Sequence, residues 1–218
     1  MVIDGDVRAN SDTPASLVAG VTEITGELDI SRGQDLSAFD CLETVGDNIE
    51  LDADEGDALE GAFPRLTTMG GGVRISGGLS EVSVSCAFRA LTTIGTYWLN
   101  GGHVDVSGDI TGELDLASLV EFHSIRINNT KIERVILPSN GTFSILQLKF
   151  DADPRLSEVL GLENTTLVGR AEDDTYTLLI RNNPLLSGCR AQAIGQMFLD
   201  GGYTPASVIV ENNGPGCE

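Results

Sequence analysis

The chain has 218 residues, with 33 acidic against 13 basic side chains, a formal net charge of −20 and a calculated pI near 4.2. A surface of that sign repels polyanions, which excludes nucleic-acid binding and electrostatic docking on an anionic membrane. Hydrophobic residues make up 41% of the chain, too many for an acidic disordered segment, and no apolar run reaches the roughly 18 to 20 residues of a membrane-inserted span.

Met1 is followed by VIDGDVRANSD instead of a basic and then apolar leader, so the sequence reads as a soluble, trimmed chain. Glycine stands at 26 residues while aromatics are only 5%, a bias that fits a fold of many tight corners. There is no Pro/Ser linker and no shift of composition, so residues 1–218 are expected to form a single body. Within it, residues 1–20 read as an N-terminal cap or partly ordered segment and 184–218 as a C-terminal cap.

ITGELD occurs twice unchanged, at Ile24 to Asp29 and at Ile110 to Asp115, which points to internal repetition. Between the copies runs a looser pattern of apolar anchors about three residues apart, then glycine, then a short strand. Leu36, Phe39, Leu42 and Val45 precede Gly46 and the strand IEL at Ile49 to Leu51. Leu59, Phe63, Leu66 and Met69 precede Gly70 to Gly72 and VRI at Val73 to Ile75. Val84, Phe88, Leu91 and Ile94 precede Gly95 and YWL at Tyr97 to Leu99.

The central residues of the alternating strands are Asp29, Glu50, Arg74, Trp98, Arg126, Gln147, Leu179 and Ile209, at intervals of 21 to 32 residues. Such a period predicts about eight coils stacked as a parallel-sheet solenoid with Leu, Ile and Val inside. The second ITGELD is out of phase with the first: either the register slips near residues 100 to 116 or that copy lies on a different wall. Asn pairs close several strands, in INN at Ile127 to Asn129, IRNNP at Ile180 to Pro184 and VENNG at Val210 to Gly214; asparagine tolerates the left-handed backbone of a corner. One segment reads as a helix, capped by Ser187 and ended by Gly201. Cys189, Ala193 and Met197 fall on one face with Ile194 and Phe198 beside them, as a lid over the open core.

These features resemble the receptor L domain family, the leucine-rich-repeat-like β-helices of insulin- and epidermal-growth-factor-receptor ectodomains, and above all its microbial secreted members, fungal cell-wall proteins among them. The resemblance rests on VTEITGELDI at Val21 to Ile30, on the recurring L-x-x-F-x-x-L-x-x-I-G arrangement, and on LLIRNNPLLSGC at Leu178 to Cys189 followed by VIVENNGPGC at Val208 to Cys217. It covers the chain from about Val21 to the end. One departure is the N-terminus, where the family usually carries a cysteine and this chain has none before Cys41. The resemblance implies a mainly β, right-handed solenoid and a non-catalytic, secreted or cell-surface module for recognition, adhesion or structure, with no cofactor.

Four cysteines permit three pairings. Cys189 begins the lid helix and Cys217 follows the last strand, so a disulfide between them would pin the lid; the rival reading leaves both as thiols. Cys41 and Cys86 lie two coils apart, about 9 to 10 Å, beyond a disulfide's reach, and read as buried small apolar residues. No zinc spacing, nucleophile elbow or phosphate loop is present, and the two histidines, His103 and His123, read as surface or corner residues. DADEGD at Asp52 to Asp57 departs from a calcium loop, with glycine at its fifth position and Phe63 at its twelfth, so it reads as a solvated acidic corner, as do DADP at Asp151 to Pro154 and EDD at Glu172 to Asp174. Three N-x-[ST] triplets, at Asn128, Asn140 and Asn164, are candidate glycan acceptors in a eukaryotic source.

In each strand triplet the central residue faces solvent. The only tryptophan then falls between two arginines on neighbouring coils, and Trp and Arg are enriched at binding hot spots. Arg74, Trp98, Arg126 and Gln147 are therefore the candidate contact surface for an extracellular protein or glycan, with Trp98 turned inward as the plain alternative. The enzymatic rival is a polysaccharide-active β-helix; the third reading is a purely structural envelope component.

Overall fold

A computed structural model of the chain describes residues 1–31, 33–53, 59–78, 81–95, 102–168 and 178–216. It is a mainly β solenoid whose strands pair in parallel, with one α-helix near the C-terminus. The longest sheet contains nine strands in chain order: β1 (Val7–Ala9), β2 (Leu28–Ile30), β3 (Ile49–Ala53), β4 (Val73–Gly77), β5 (His103–Ser107), β6 (Ser124–Asn128), β7 (Gln147–Asp151), β8 (Leu178–Arg181) and β9 (Val208–Glu211). The additional member relative to the eight sequence markers is β1, so residues 1–20 belong to the first winding of the chain. They hold a strand at Val2–Ile3, β1 and a 3₁₀ turn at Ala15–Leu17.

Around the coil a second wall is a five-stranded sheet running from Val2–Ile3 to Thr93–Ile94, and a third is a four-stranded sheet of Val82–Ser83, Ile110–Asp115, Lys131–Ile136 and Glu158–Leu160. The two copies of ITGELD sit on different walls. The first bridges the second wall and β2, whereas the second is itself a strand of the third wall, with a register shift between Gly112 and Glu113. The same six residues therefore serve two corners of different shape.

Alternation fixes which side chains go inside. In β3 and β7 every second residue is buried, and register pairing stacks Ile49 on Val73 and Leu148 on Leu178. The anchors Leu36, Phe39, Leu42 and Val45, and their counterparts from Leu59 to Met69 and from Val84 to Ile94, are all buried. Phe39, Phe63 and Phe88 form a ring column with centroids 6.1 and 5.6 Å apart, a spacing at which aromatic pairs attract beyond simple burial.

Corners are where backbones of successive coils approach most closely. A Cβ on Gly70 would fall on the carbonyl oxygen of Gly46, and one on Gly95 on that of Gly70, so this edge excludes any side chain. On the opposite edge of the long sheet, one residue after each of β6 to β9 takes a left-handed backbone: Asn129, Ala152, Asn182 and Asn212, with φ of 52°, 60°, 58° and 52°. Ala152 has no side-chain amide to ease that conformation.

The helix α1 (Gly188–Asp200) lies against β8 and β9 and buries Ala191, Ile194, Gly195 and Phe198, an i, i+3, i+4, i+7 stripe. The expected face of Cys189, Ala193 and Met197 is rotated from this: Ala193 is exposed and Met197 only partly buried. Gly195 decides the rotation, because its missing side chain lets the helix close on Val208 and Val210 of β9. Ser187 occupies the N-cap without a side-chain hydrogen bond, and Gly201 ends the helix. Arg190 ties α1 to the third wall, donating to the Val159 carbonyl at 2.7 Å and the Gly161 carbonyl at 2.8 Å.

Two corner substitutions are expected to move stability in opposite directions. Gly70→Ala forces two coils apart and costs about 3 kcal/mol, lowering Tm by roughly 6 to 12 °C for a chain of this size. Ala152→Asn matches the other three corners and gains about 1 kcal/mol, raising Tm by roughly 2 to 4 °C; calorimetry of both variants checks the pair.

Candidate functional site

The outward face of the long sheet belongs to the sheet with the most strands among the described residues. Its central column, read strand by strand, is Arg8, Asp29, Glu50, Arg74, Asp105, Arg126, Lys149, Leu179 and Ile209. Arg74 and Arg126 thus share the column, as the alternating triplets require, but the strand between them is His103–Ser107 and the residue between them is Asp105. Trp98 lies outside the described residues. Gln147 faces outward one row away, in register with Ser124, and Lys149 takes the column position expected of it. The missed strand was detectable: VDV at Val104 to Val106 alternates as well as YWL does, and Asp105 precedes Arg126 by 21 residues, the interval that also separates Asp29 from Glu50.

Replacing an aromatic by a carboxylate changes the electrostatics of the face. Arg8 pairs with Asp29 at 3.6 Å, Arg74 with Glu50 at 3.4 Å and Arg126 with Asp105 at 3.6 Å, each across adjacent coils. In the neighbouring row Arg181 grips Asp151 through two bonds of 3.0 Å while Lys149 approaches the same carboxylate at 3.7 Å. The Arg181 hydrogen bond holds the Asp151 carboxyl below its ordinary range. Each arginine of the stack therefore has an acidic partner on an adjacent coil, although Asp29 and Glu50, and Arg126 and Lys149, are like-charged register neighbours.

The third wall repeats the device. Arg134 lies between Glu113 at 2.9 Å and Glu158 at 2.6 Å, and Glu81 receives both Lys131 and Arg155 at 3.0 Å. Exposed pairs of this kind contribute up to about 1 kcal/mol each, so their effect is to fix register and surface charge more than to hold the fold.

The remaining acids gather near the N-terminal end. There Glu27 has its pKa raised, first by desolvation and then by Glu50, Asp47, Asp6 and Asp29. Among the described residues no group of three or more His, Cys, Asp or Glu is arranged to hold a metal ion. Residues 54–57 of DADEGD and the whole of Glu172 to Asp174 lie outside the described residues, whereas Asp52 lies on the outward face of β3.

DADP is only half solvated: Asp151 faces outward but Asp153 is fully buried. His103 and His123 are partly exposed at the start of β5 and beside β6. The free thiols Cys41 and Cys86 are half-buried and exposed, not packed inside, because Phe39 and Leu42 and then Ala87 and Phe88 take the inward positions and Cys86 turns out at φ 61°. Cys189 is disulfide-bonded; Cys217 lies outside the described residues. Asn140 and Asn164 are exposed register neighbours in a two-stranded sheet, while Asn128 has its side-chain oxygen buried.

No family model, curated protein or solved structure matches the chain. The architecture that its coordinates define is a β-solenoid, and among the described residues no helix is long and apolar enough to cross a membrane.

Glu27 gives the acidic end a measurable signature. Its folded pKa is raised, so its neutral form stabilises the fold at low pH and that contribution is lost as pH rises through the folded value. Glu27→Gln is expected to stabilise the fold at pH 7, by less than about 1 kcal/mol because solvent screens a partly exposed group, and to leave Tm unchanged at pH 3; melting curves at the two pH values check it.

Proposed function

We propose that the chain is a non-catalytic recognition or adhesion module, extracellular or at a cell surface and akin to receptor L domains, that presents the outward face of its long sheet to a protein or glycan partner. The observation that supports the reading is the column Arg74–Asp105–Arg126–Lys149, which sets one exposed and three half-buried charged groups of both signs on a packed wall at strand spacing. Side chains held by packed β-strands keep their geometry on binding, so little ordering entropy is lost. Sugar hydroxyls and polar protein loops are the partners such a face fits, because they pair with alternating charges without demanding a deep cavity. The disulfide of Cys189 is assigned to Cys217 in this reading, closing the C-terminal end in an oxidising compartment.

The lattice of ion pairs also favours a second reading. Since Arg74 and Arg126 already have carboxylate partners, the wall is electrostatically satisfied without a ligand, as a structural envelope component would be. A screen of immobilised glycans and cell-surface proteins, run with and without calcium, separates the readings. The recognition module yields a saturable ligand whose Kd rises at least about tenfold in Arg126→Glu, which sets like charges against Asp105. Absence of any saturable ligand overturns it in favour of the structural component, and new reducing ends or unsaturated products from acidic polysaccharides overturn it in favour of a polysaccharide-active enzyme.

A further inference from the structure

The corner that follows β6 to β9 carries a second, internal column. After each left-handed residue the next side chain turns inward: Thr130, Asp153, Asn183 and Asn213 in successive coils. Thr130, Asp153 and Asn183 are fully buried. The two asparagines act alike. Asn183 donates its amide to the Phe150 carbonyl at 3.1 Å and Asn213 donates to the Ile180 carbonyl at 2.9 Å, each reaching back one coil. Asn183 also accepts from the Asp153 backbone N–H at 3.0 Å and donates to the Asn213 side chain at 3.2 Å.

Asp153 stands where this pattern calls for another amide. Its Oδ1 does what the Asn183 oxygen does, accepting from the backbone N–H of the preceding coil, Thr130, at 2.8 Å, with the Thr130 hydroxyl at 2.9 Å. Its Oδ2 occupies the place of the donating nitrogen, is buried, and has no hydrogen-bond partner as an acceptor. Ile127, Phe150 and Ile180 are register partners in β6, β7 and β8. The carbonyl that the repeat assigns to Oδ2 is therefore that of Ile127, and two acceptors cannot bond unless one carries a proton.

We propose that Asp153 is the protonated member of this ladder, its Oδ2–H donating to the Ile127 carbonyl as the amides of Asn183 and Asn213 donate to Phe150 and Ile180, and that loss of this proton loosens the stack between β6 and β7. The solenoid thereby contains a built-in proton site in its C-terminal half. Burial is the main influence on this carboxyl, pushing its pKa from the ordinary value up to about 7, against the lowering effect of the Thr130 bonds and, more weakly, of the Asp151 backbone N–H.

Among the described residues, the surrounding charges provide no counter-ion for the site. Asp151 adds repulsion and is itself held by Arg181 and Lys149. The chain neighbours Lys131 and Arg155 both turn to Glu81. On the third wall Arg134 is taken by Glu113 and Glu158. From α1, Arg190 goes to Val159, Gly161 and Glu163, and Asp200 accepts from Gln196. In β9, Glu211 is the register neighbour of Arg181.

The folded state holds a proton that the unfolded chain releases near pH 4. Stability is therefore complete below that value and declines as pH rises through about 7. The test is urea unfolding of wild type and Asp153→Asn from pH 5 to 8. The neutral amide completes the ladder at every pH, so relative to wild type its unfolding constant falls with rising pH by up to about tenfold per unit. Parallel pH profiles for the two proteins overturn the proposal. Should Asp153→Asn fail to fold, infrared spectra of wild type labelled with ¹³C-aspartate decide. A buried protonated-carboxyl band at pH 5 that fades above pH 7 supports it, and its absence at pH 5 overturns it.

Discussion

Everything in this molecule depends on one constraint: adjacent coils must keep their backbones about 4.8 Å apart around the whole circumference. Walls meet that requirement by ordinary parallel pairing, with apolar side chains stacked on like side chains inside. Corners are harder, because there the chain changes direction while its carbonyl and N–H groups still need partners. The glycine edge of Gly46, Gly70 and Gly95 answers by removing side chains altogether, and the opposite edge answers by filling the corner with amide and hydroxyl groups that bond from coil to coil.

Surface charge obeys the same spacing. A side chain in a parallel wall has its nearest lateral neighbours on the coils before and after it, so setting a base beside an acid on an adjacent coil relieves a costly like-charge stack. Arg8 with Asp29, Arg74 with Glu50 and Arg126 with Asp105 illustrate this on one wall, and Glu113, Arg134 and Glu158 on another. The net excess of acid is displaced toward the N-terminal end, where Glu27 records the resulting repulsion.

The coil anchors were legible because burial imposes a period: Phe39, Phe63 and Phe88 are anchors in the sequence and a ring column in space. The asparagine corners were legible too, since few residues tolerate their backbone. What sequence reasoning missed has identifiable causes. YWL and HVDVS both alternate, and preferring the aromatic triplet put Trp98 where Asp105 stands. The helix face was misjudged because a glycine at a contact carries no hydrophobic signal, although Gly195 is what lets the helix approach. Asp153 looked like part of a solvated run, yet aligning FDADP at Phe150 to Pro154 with IRNNP at Ile180 to Pro184 places it opposite the buried Asn183. A charged letter in a repeat is better judged by its counterparts in other coils than by its sequence neighbours.

The walls do not all run the length of the molecule. The five-stranded sheet ends at Thr93–Ile94, apart from a single bridge from Thr93 to Glu121, while the four-stranded sheet begins only at Val82–Ser83 and the two-stranded sheet at Asn140–Phe143. Among the described residues only the nine-stranded wall runs from the first coil to the last, so the set of walls around the coil changes partway along. A winding from the first part of the rod offers a different set of strand edges to its neighbours than one from the last part, so lengthening the rod by copying a winding would keep every edge paired only where the copy sits beside windings of its own kind.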